Sequence, residues 1–162
     1  MRSLTLAALL ALTVASPVFA QASNPAVVAP INAFLEAFNK GDMAGAVAAH
    51  AADADLVIVD EAAPYVWHGA KAVQTWAADL AALDTKAGIT DQKVVLGAPT
   101  RIEVAGVAAY VIAPAVYTFK EKGVAMRAAS QMTFTLKKGA AGWLISSWTW
   151  TGPKASKVAA AK

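Results

Sequence analysis

From Asp91 to Thr151 the chain is a succession of strand-forming runs separated by short turns, and every helix-period segment comes before them. The runs lie near Asp91–Gly97, Thr100–Val104, Val107–Lys120, Val124–Lys137 and Gly142–Thr151. Ala105–Gly106, Glu121–Gly123 and Lys138–Gly142 punctuate them. Long strands joined by short turns imply an antiparallel meander. Helices first and sheet second predicts an α+β domain with the helices packed on one sheet face. Side chains alternate along a strand, so Ser130, Met132, Phe134 and Leu136 share one face. Arg127, Gln131, Thr133, Thr135 and Lys137 share the other. By the same rule Trp148 and Trp150 lie opposite Trp143, Ile145, Ser147 and Thr149.

Three helices are predicted. Asn24 and Pro25 open the first. Val27, Ile31, Phe34, Leu35 and Phe38 recur along it at helical spacing, and Asn39 to Gly41 stops it. Pro30 predicts that this helix becomes regular only after it. Asp42 caps a second helix, Met43 to about His50, with Met43, Ala46 and Val47 available for burial. Leu56–Val59 and Tyr65–Trp67 read as a hairpin across the turn Glu61–Pro64, ended by Gly69. The third helix runs from about Ala70 to Leu83, with Val73, Trp76, Ala77, Leu80 and Leu83 on one side.

Residues 1–20 read as an export signal: Arg2, an apolar run from Leu4 to Val14, and Val18 and Ala20 before the cleavage point. The run is shorter than the roughly 20 apolar residues of a membrane span, so no stable membrane anchor is expected. Removing residues 1–20 leaves 142 of the 162 residues, enough for one domain over residues 21–152 and an Ala/Lys tail, 153–162, expected to fray. The chain has no cysteine, which excludes disulfides, thiol catalysis and thiolate metal sites. Together with the signal, this suits a bacterial periplasm. Of 14 basic residues, Arg2 lies in the signal and Lys154, Lys157 and Lys162 in the tail. The body then holds 10 basic against 11 acidic residues, without the basic stripe that nucleic-acid binding needs.

FLEAFNKGD (Phe34–Asp42), AADADLVIVD (Ala51–Asp60) and the closing GWLISSWTW (Gly142–Trp150) stand in the order found in one superfamily. The chain resembles nuclear transport factor 2-like proteins, among them the SnoaL-like cyclases and the ketosteroid isomerases. The resemblance implies a cone: three N-terminal helices on a curved antiparallel sheet, enclosing a pocket. In the isomerase branch a carboxylate base follows the first strand, and Asp60 falls at that position once a two-residue insertion is allowed. An apolar strand leading into a pocket would raise the pKa of such an acid and suit it as a base. The other reading of Asp60 is an exposed turn residue beside Glu61. The family also supplies a Tyr and a protonated Asp to the developing oxyanion. The matching positions here are Phe34 and Ser130 or Met132, none of which replaces those acids, so steroid isomerase activity is not expected.

His50 is a second candidate base, at the end of the second helix. With His68 and Asp53, Asp55 or Asp60 it could form a metal triad, although no short ligand spacing supports this and no metal or other cofactor is expected. Phe34, Phe38, Tyr65, Trp67, Trp76, Tyr110, Ser130 and Met132 are the candidate pocket lining. Arg127 is either solvated or a partner for a carboxylate. Three functions stay open. The first is a non-catalytic module binding a small apolar or aromatic molecule. The second is a SnoaL-like isomerase, cyclase or hydrolyase with Asp60 or His50 as general base. The third is a dimeric accessory domain with a vestigial pocket. Relatives of this scaffold imply a homodimer.

Overall fold

The protein is described here by a computed structural model covering residues 24–159. The export signal read at residues 1–20 lies outside the described residues. Helix α1 spans Pro25–Lys40, α2 Met43–Ala48 and α3 Ala72–Ala87. The strands are β1 Val57–Val59, β2 Val66–His68, β3 Ile89–Leu96, β4 Arg101–Ala105, β5 Ala108–Glu121, β6 Val124–Gly139, β7 Gly142–Thr151 and β8 Ser156–Lys157. This is the expected α+β cone, with the helices on one face of a curved sheet.

The helix signals read from sequence act as physical caps. The Asn24 side chain accepts from Val27 N at 3.3 Å, and Asp42 Oδ1 accepts from Gly45 N at 3.0 Å. Gly41 takes the left-handed conformation, φ 68°, that ends α1. Pro30 does not delay α1, which is regular from Pro25 onward. A proline at this point removes one backbone donor, and the fully buried Val27 and Ile31 on either side hold the turn against the sheet. Helix α2 stops at Ala48, and of its three predicted apolar contacts only Ala46 is buried, while Met43 is exposed.

The sheet order is β2-β1-β7-β6-β5-β3, with β4 also on β5 and β8 on β6. It is mixed rather than a pure antiparallel meander, because β1 pairs with β7 in parallel, Ile58 beside Trp148. Those two strands are separated by most of the chain, so no hairpin turn dictates their direction. The tail expected to fray is partly paired. Ser156 and Lys157 align with Arg127 and Met126, and Val158 N donates to Ala125 O at 2.9 Å. Strand β7 ends opposite Gln131, which leaves the start of β6 with unpaired backbone groups, and the tail supplies their partners.

Strict alternation fails once, and the failure shapes the interior. Thr135 pairs with Ser147 while Leu136 pairs with Ile145, so Ser146 is an extra residue in β7. The predicted opposition of Ile145 and Trp148 is therefore wrong: the bulge puts both on the inner face, both buried. The Ser146 hydroxyl, displaced by the bulge, hydrogen-bonds Thr135 Oγ1 at 2.9 Å. The inner face then presents Val111, Phe134, Leu136, Ile145 and Trp148 to Val27, Ile31, Phe34 and Val73 of the helices.

His50 belongs to this core. It lies just beyond α2, 4 % exposed, with its ring edge-on to Phe34 at 4.8 Å. Its Nδ1 donates to Ala46 O at 2.7 Å, while Nε2 has no partner among the described residues. Burial pushes the imidazole down to about 4, against the opposing effect of the Ala46 carbonyl, so it is neutral at physiological pH.

Two stability tests follow from this packing. Phe134→Ala should cost about 3–5 kcal/mol in urea unfolding, and Asp42→Ala about 1 kcal/mol, because one opens the core and the other removes a solvated cap. His50 binds a proton more readily unfolded than folded, so its burial stabilises the protein above about pH 6.5 and that contribution is lost as pH falls through 4. The loss should reach about 3 kcal/mol. It should be absent in His50→Asn, whose amide can still reach Ala46 O; equal acid sensitivity of the two proteins would exclude His50 as its source.

Candidate active site

The helices and the inner sheet face enclose a cavity of about 240 Å³ between α1, α3 and the β3–β5–β6–β7 surface. It exceeds the roughly 150 Å³ of a dry apolar cavity that holds benzene. Phe34, Leu35 and Phe38 come from α1; Trp76, Leu80, Leu83 and Asp84 from α3; Ile89 and Val94 from β3; and Tyr117 and Phe119 from β5. Met132 comes from β6 and Trp148 and Trp150 from β7, while Asp60, Glu61 and Ala62 follow β1.

Asp60 is thus a wall residue of an apolar chamber. Strand β1 carries it there, and the turn behind it is pinned by Asp60 N donating to Tyr65 O and Tyr65 N to Ala62 O, at 3.0 and 2.8 Å. Its Oδ2 accepts from Trp76 Nε1 at 2.7 Å, and Oδ1 accepts from Glu61 N at 2.6 Å. Desolvation raises its pKa above the usual aspartate value, and this outweighs the lowering by Trp76 and the backbone of Glu61 and Ala62. The result is a fixed carboxylate with increased affinity for a proton.

A second polar group lies on the same wall. Asp84 Oδ2 accepts from Gln92 Nε2 at 2.6 Å, and Gln92 Oε1 accepts from the Tyr117 hydroxyl at 2.5 Å. Burial raises the Asp84 pKa, and Asp60 adds to the effect; Glu61, at the mouth, is raised by burial and then by Asp60. The Tyr117 phenol is pushed well above its ordinary value, mainly by burial and then by the negative charges around it.

Of the candidate lining, the structure brings Phe34, Phe38, Trp76 and Met132 together with Asp60. It places the other four elsewhere. Tyr65 is an exposed turn residue. Trp67 is a core residue whose Nε1 donates to Asp79 at 2.8 Å. Tyr110 pairs with Thr135 on the outer sheet face, under the Arg101 guanidinium. Ser130 is covered by Gly152, which passes too close for any side chain at that position. His50 does not line the cavity, being held behind Phe34. His68 is exposed on β2, and among the described residues no three His, Asp or Glu side chains converge as metal ligands.

Asp84 and Tyr117 were not among the candidates. Asp84 had a legible signal: it continues the apolar face of α3 at positions i+8 from Trp76 and i+4 from Leu80, where a carboxylate is out of pattern. Trp148 and Trp150 read only as one face of a strand until the Ser146 bulge fixed which face turned inward.

No curated protein matches the chain in sequence. Solved structures do match its fold. A candidate aromatic ring hydroxylase from Novosphingobium aromaticivorans superposes with a TM-score of 0.67 at 14% identity, over 82% of this chain and 91% of that one. A nuclear transport factor 2-like superfamily protein from Salmonella enterica gives 0.65 at 18%, over 79% and 89%. A ketosteroid isomerase-like protein from Erwinia carotovora atroseptica gives 0.59 at 23%, over 83% and 95%. Residues 27–150, from the first core valine of α1 to the last cavity tryptophan of β7, match the SnoaL-like domain, and the chain belongs to that family.

Proposed function

We propose that this SnoaL-like domain binds a small molecule with an apolar or aromatic body and that Asp60 removes a proton from carbon next to a carbonyl group. The observation that carries the reading is the carboxylate of Asp60 fixed in the wall of an aromatic cavity, with its proton affinity raised by burial. A purely binding pocket for an apolar molecule has no need of a desolvated carboxylate, which costs stability at neutral pH.

In the proposed step Asp60 Oδ accepts the proton, the C–H electron pair forms a carbon–carbon double bond, and the carbonyl π electrons move to oxygen. Returning the proton to another carbon gives isomerisation; expelling a leaving group gives elimination. Trp76 keeps the carboxylate oriented while leaving it ionised. Phe34 and Met132 occupy the positions where the isomerase branch has its oxyanion acids, and neither donates. Trp148 and Trp150 also line the cavity, and their buried Nε1 groups, which have no partner among the described residues, are the candidate donors.

Two features rest on the sequence and packing alone. Export is proposed from residues 1–20. A homodimer is proposed through the outer sheet face, where Val57, Val59, Val95, Ile112 and Val116 stand among threonines with no covering layer among the described residues. Light scattering should then give twice the chain mass.

The catalytic reading is tested by dissolving small aryl ketones in D2O and following loss of their α-proton signals by NMR. Wild-type protein should accelerate exchange, and Asp60→Asn should lower that rate by about 10²–10⁴-fold. The acid limb of the pH–rate profile should lie above the ordinary aspartate pKa of 3.8, because only ionised Asp60 is active. Ketones that bind but exchange equally with both proteins would leave a binding module and remove Asp60 as a base.

A further inference from the structure

The cavity wall is aromatic and acidic, and it is not balanced. Asp60, Glu61 and Asp84 line it, and among the described residues no lysine, arginine or histidine does. Lys154 acts on Glu61 from outside the lining.

Asp84 ties α3 to β3 through Gln92, and that tie uses only one of its two oxygens. It is 8 % exposed and lies in the last turn of α3, where the helix dipole disfavours an anion. One carboxylate oxygen is held by Gln92; the other accepts no hydrogen bond from the described residues, and no cation among them pairs with it. Its free oxygen is not sealed inside the protein, and beside two other acids on the same wall it can meet a group that enters the cavity. A neutral ligand without a donor gains nothing from that oxygen, an anion would be repelled, and a cation gains most.

The rings of the same cavity wall suit a positive charge. Trp76 and Trp148 meet nearly perpendicular, 84° at 5.1 Å between centroids, and Tyr117 and Trp150 at 83° and 6.1 Å. All four rings line the cavity, and an aromatic face carries the negative end of the ring quadrupole. Carboxylates and aromatic rings on the wall of one small cavity form the chemistry that recognises an ammonium group.

We infer that the ligand of this cavity is a compact organic cation, a protonated or quaternary amine on an apolar or aromatic body, with Asp84 as its charge partner. This rests on the reading of the cavity as the ligand site and narrows the class of molecule it takes. The amine lies toward Asp84 and the aromatic faces, which leaves Asp60 to the reacting carbon.

Three probes share a benzene ring and a tetrahedral substituent and differ in charge: phenyltrimethylammonium, tert-butylbenzene and benzenesulfonate. Calorimetric titration of the mature protein should show the cation binding at least about tenfold tighter than the neutral compound, with the anion weakest. Asp84→Asn can keep its bond with Gln92. It should weaken the cation at least about tenfold while tert-butylbenzene binds as before or more tightly. A merely structural role for Asp84 would move both probes together and would overturn the assignment. Equal binding of the cation and the neutral compound would overturn the charge preference while the cavity still bound ligands. If none of the three binds, the inference falls, and the binding half of the proposed function falls with it.

Discussion

The extra residue that β7 carries opposite β6 decides which side of the sheet each later side chain of that strand occupies. Before Ser146, Ile145 packs inward under α1 and the segment after α2; its N–H donates to Ala49 O and its carbonyl accepts from Ala51 N. After Ser146, Trp148 and Trp150 face inward as well and become cavity wall. Without the slip, a strand fixed at Ile145 would turn both tryptophans to the outer face. The core and the cavity are therefore two halves of one strand, joined by a bulge that Thr135 secures through Ser146 and Ser147.

The cavity is also where the protein is least well satisfied. Elsewhere the paired charges are exposed, as in Lys137 with Asp53 and Asp55 or Lys120 with Asp91. Here carboxylates sit among rings, their proton affinities raised first by burial, and Asp60 adds to the effect at Glu61 and Asp84. Their folded-state proton affinities exceed their unfolded ones, so they favour the fold in acid and weigh on it at neutral pH. His50 has the opposite sign, and its penalty appears in acid. Stability as a function of pH therefore separates a functional cluster from a core residue, although both are buried and titratable.

Much of the fold was legible because local signals and tertiary needs agree. Asn24, Gly41 and Asp42 bound helices where their chemistry says they should, and β7 runs from Gly142 to Thr151 as read. Phe34 and Asp60, placed by counting against a family pattern, and Met132, one of two late-strand alternatives placed the same way, do meet around one cavity, while the other alternative, Ser130, does not reach it. What was not legible is what alternation cannot encode. The Ser146 slip leaves no compositional trace, so Trp148 could not be put on the face of Ile145. Tyr110 and Tyr117 lie on the same strand at an odd spacing, and period two places them on opposite faces; only the pairing says which is inside. Asp84 was readable as an exception to the apolar face of its helix, and the prediction ended α3 one residue short of it.

The placement of the tryptophans has an optical consequence. Three of the five indoles, Trp76, Trp148 and Trp150, stand on the cavity wall, and Trp76 shares a proton donor contact with Asp60. Trp67 is tied to Asp79 in the core, and Trp143 lies near the β6–β7 turn beside Lys138. The ultraviolet emission of the unlabelled protein is thus weighted toward the polarity and charge state of one small chamber. Whatever enters that chamber, and whichever acid there gains or loses a proton, changes the protein's own light.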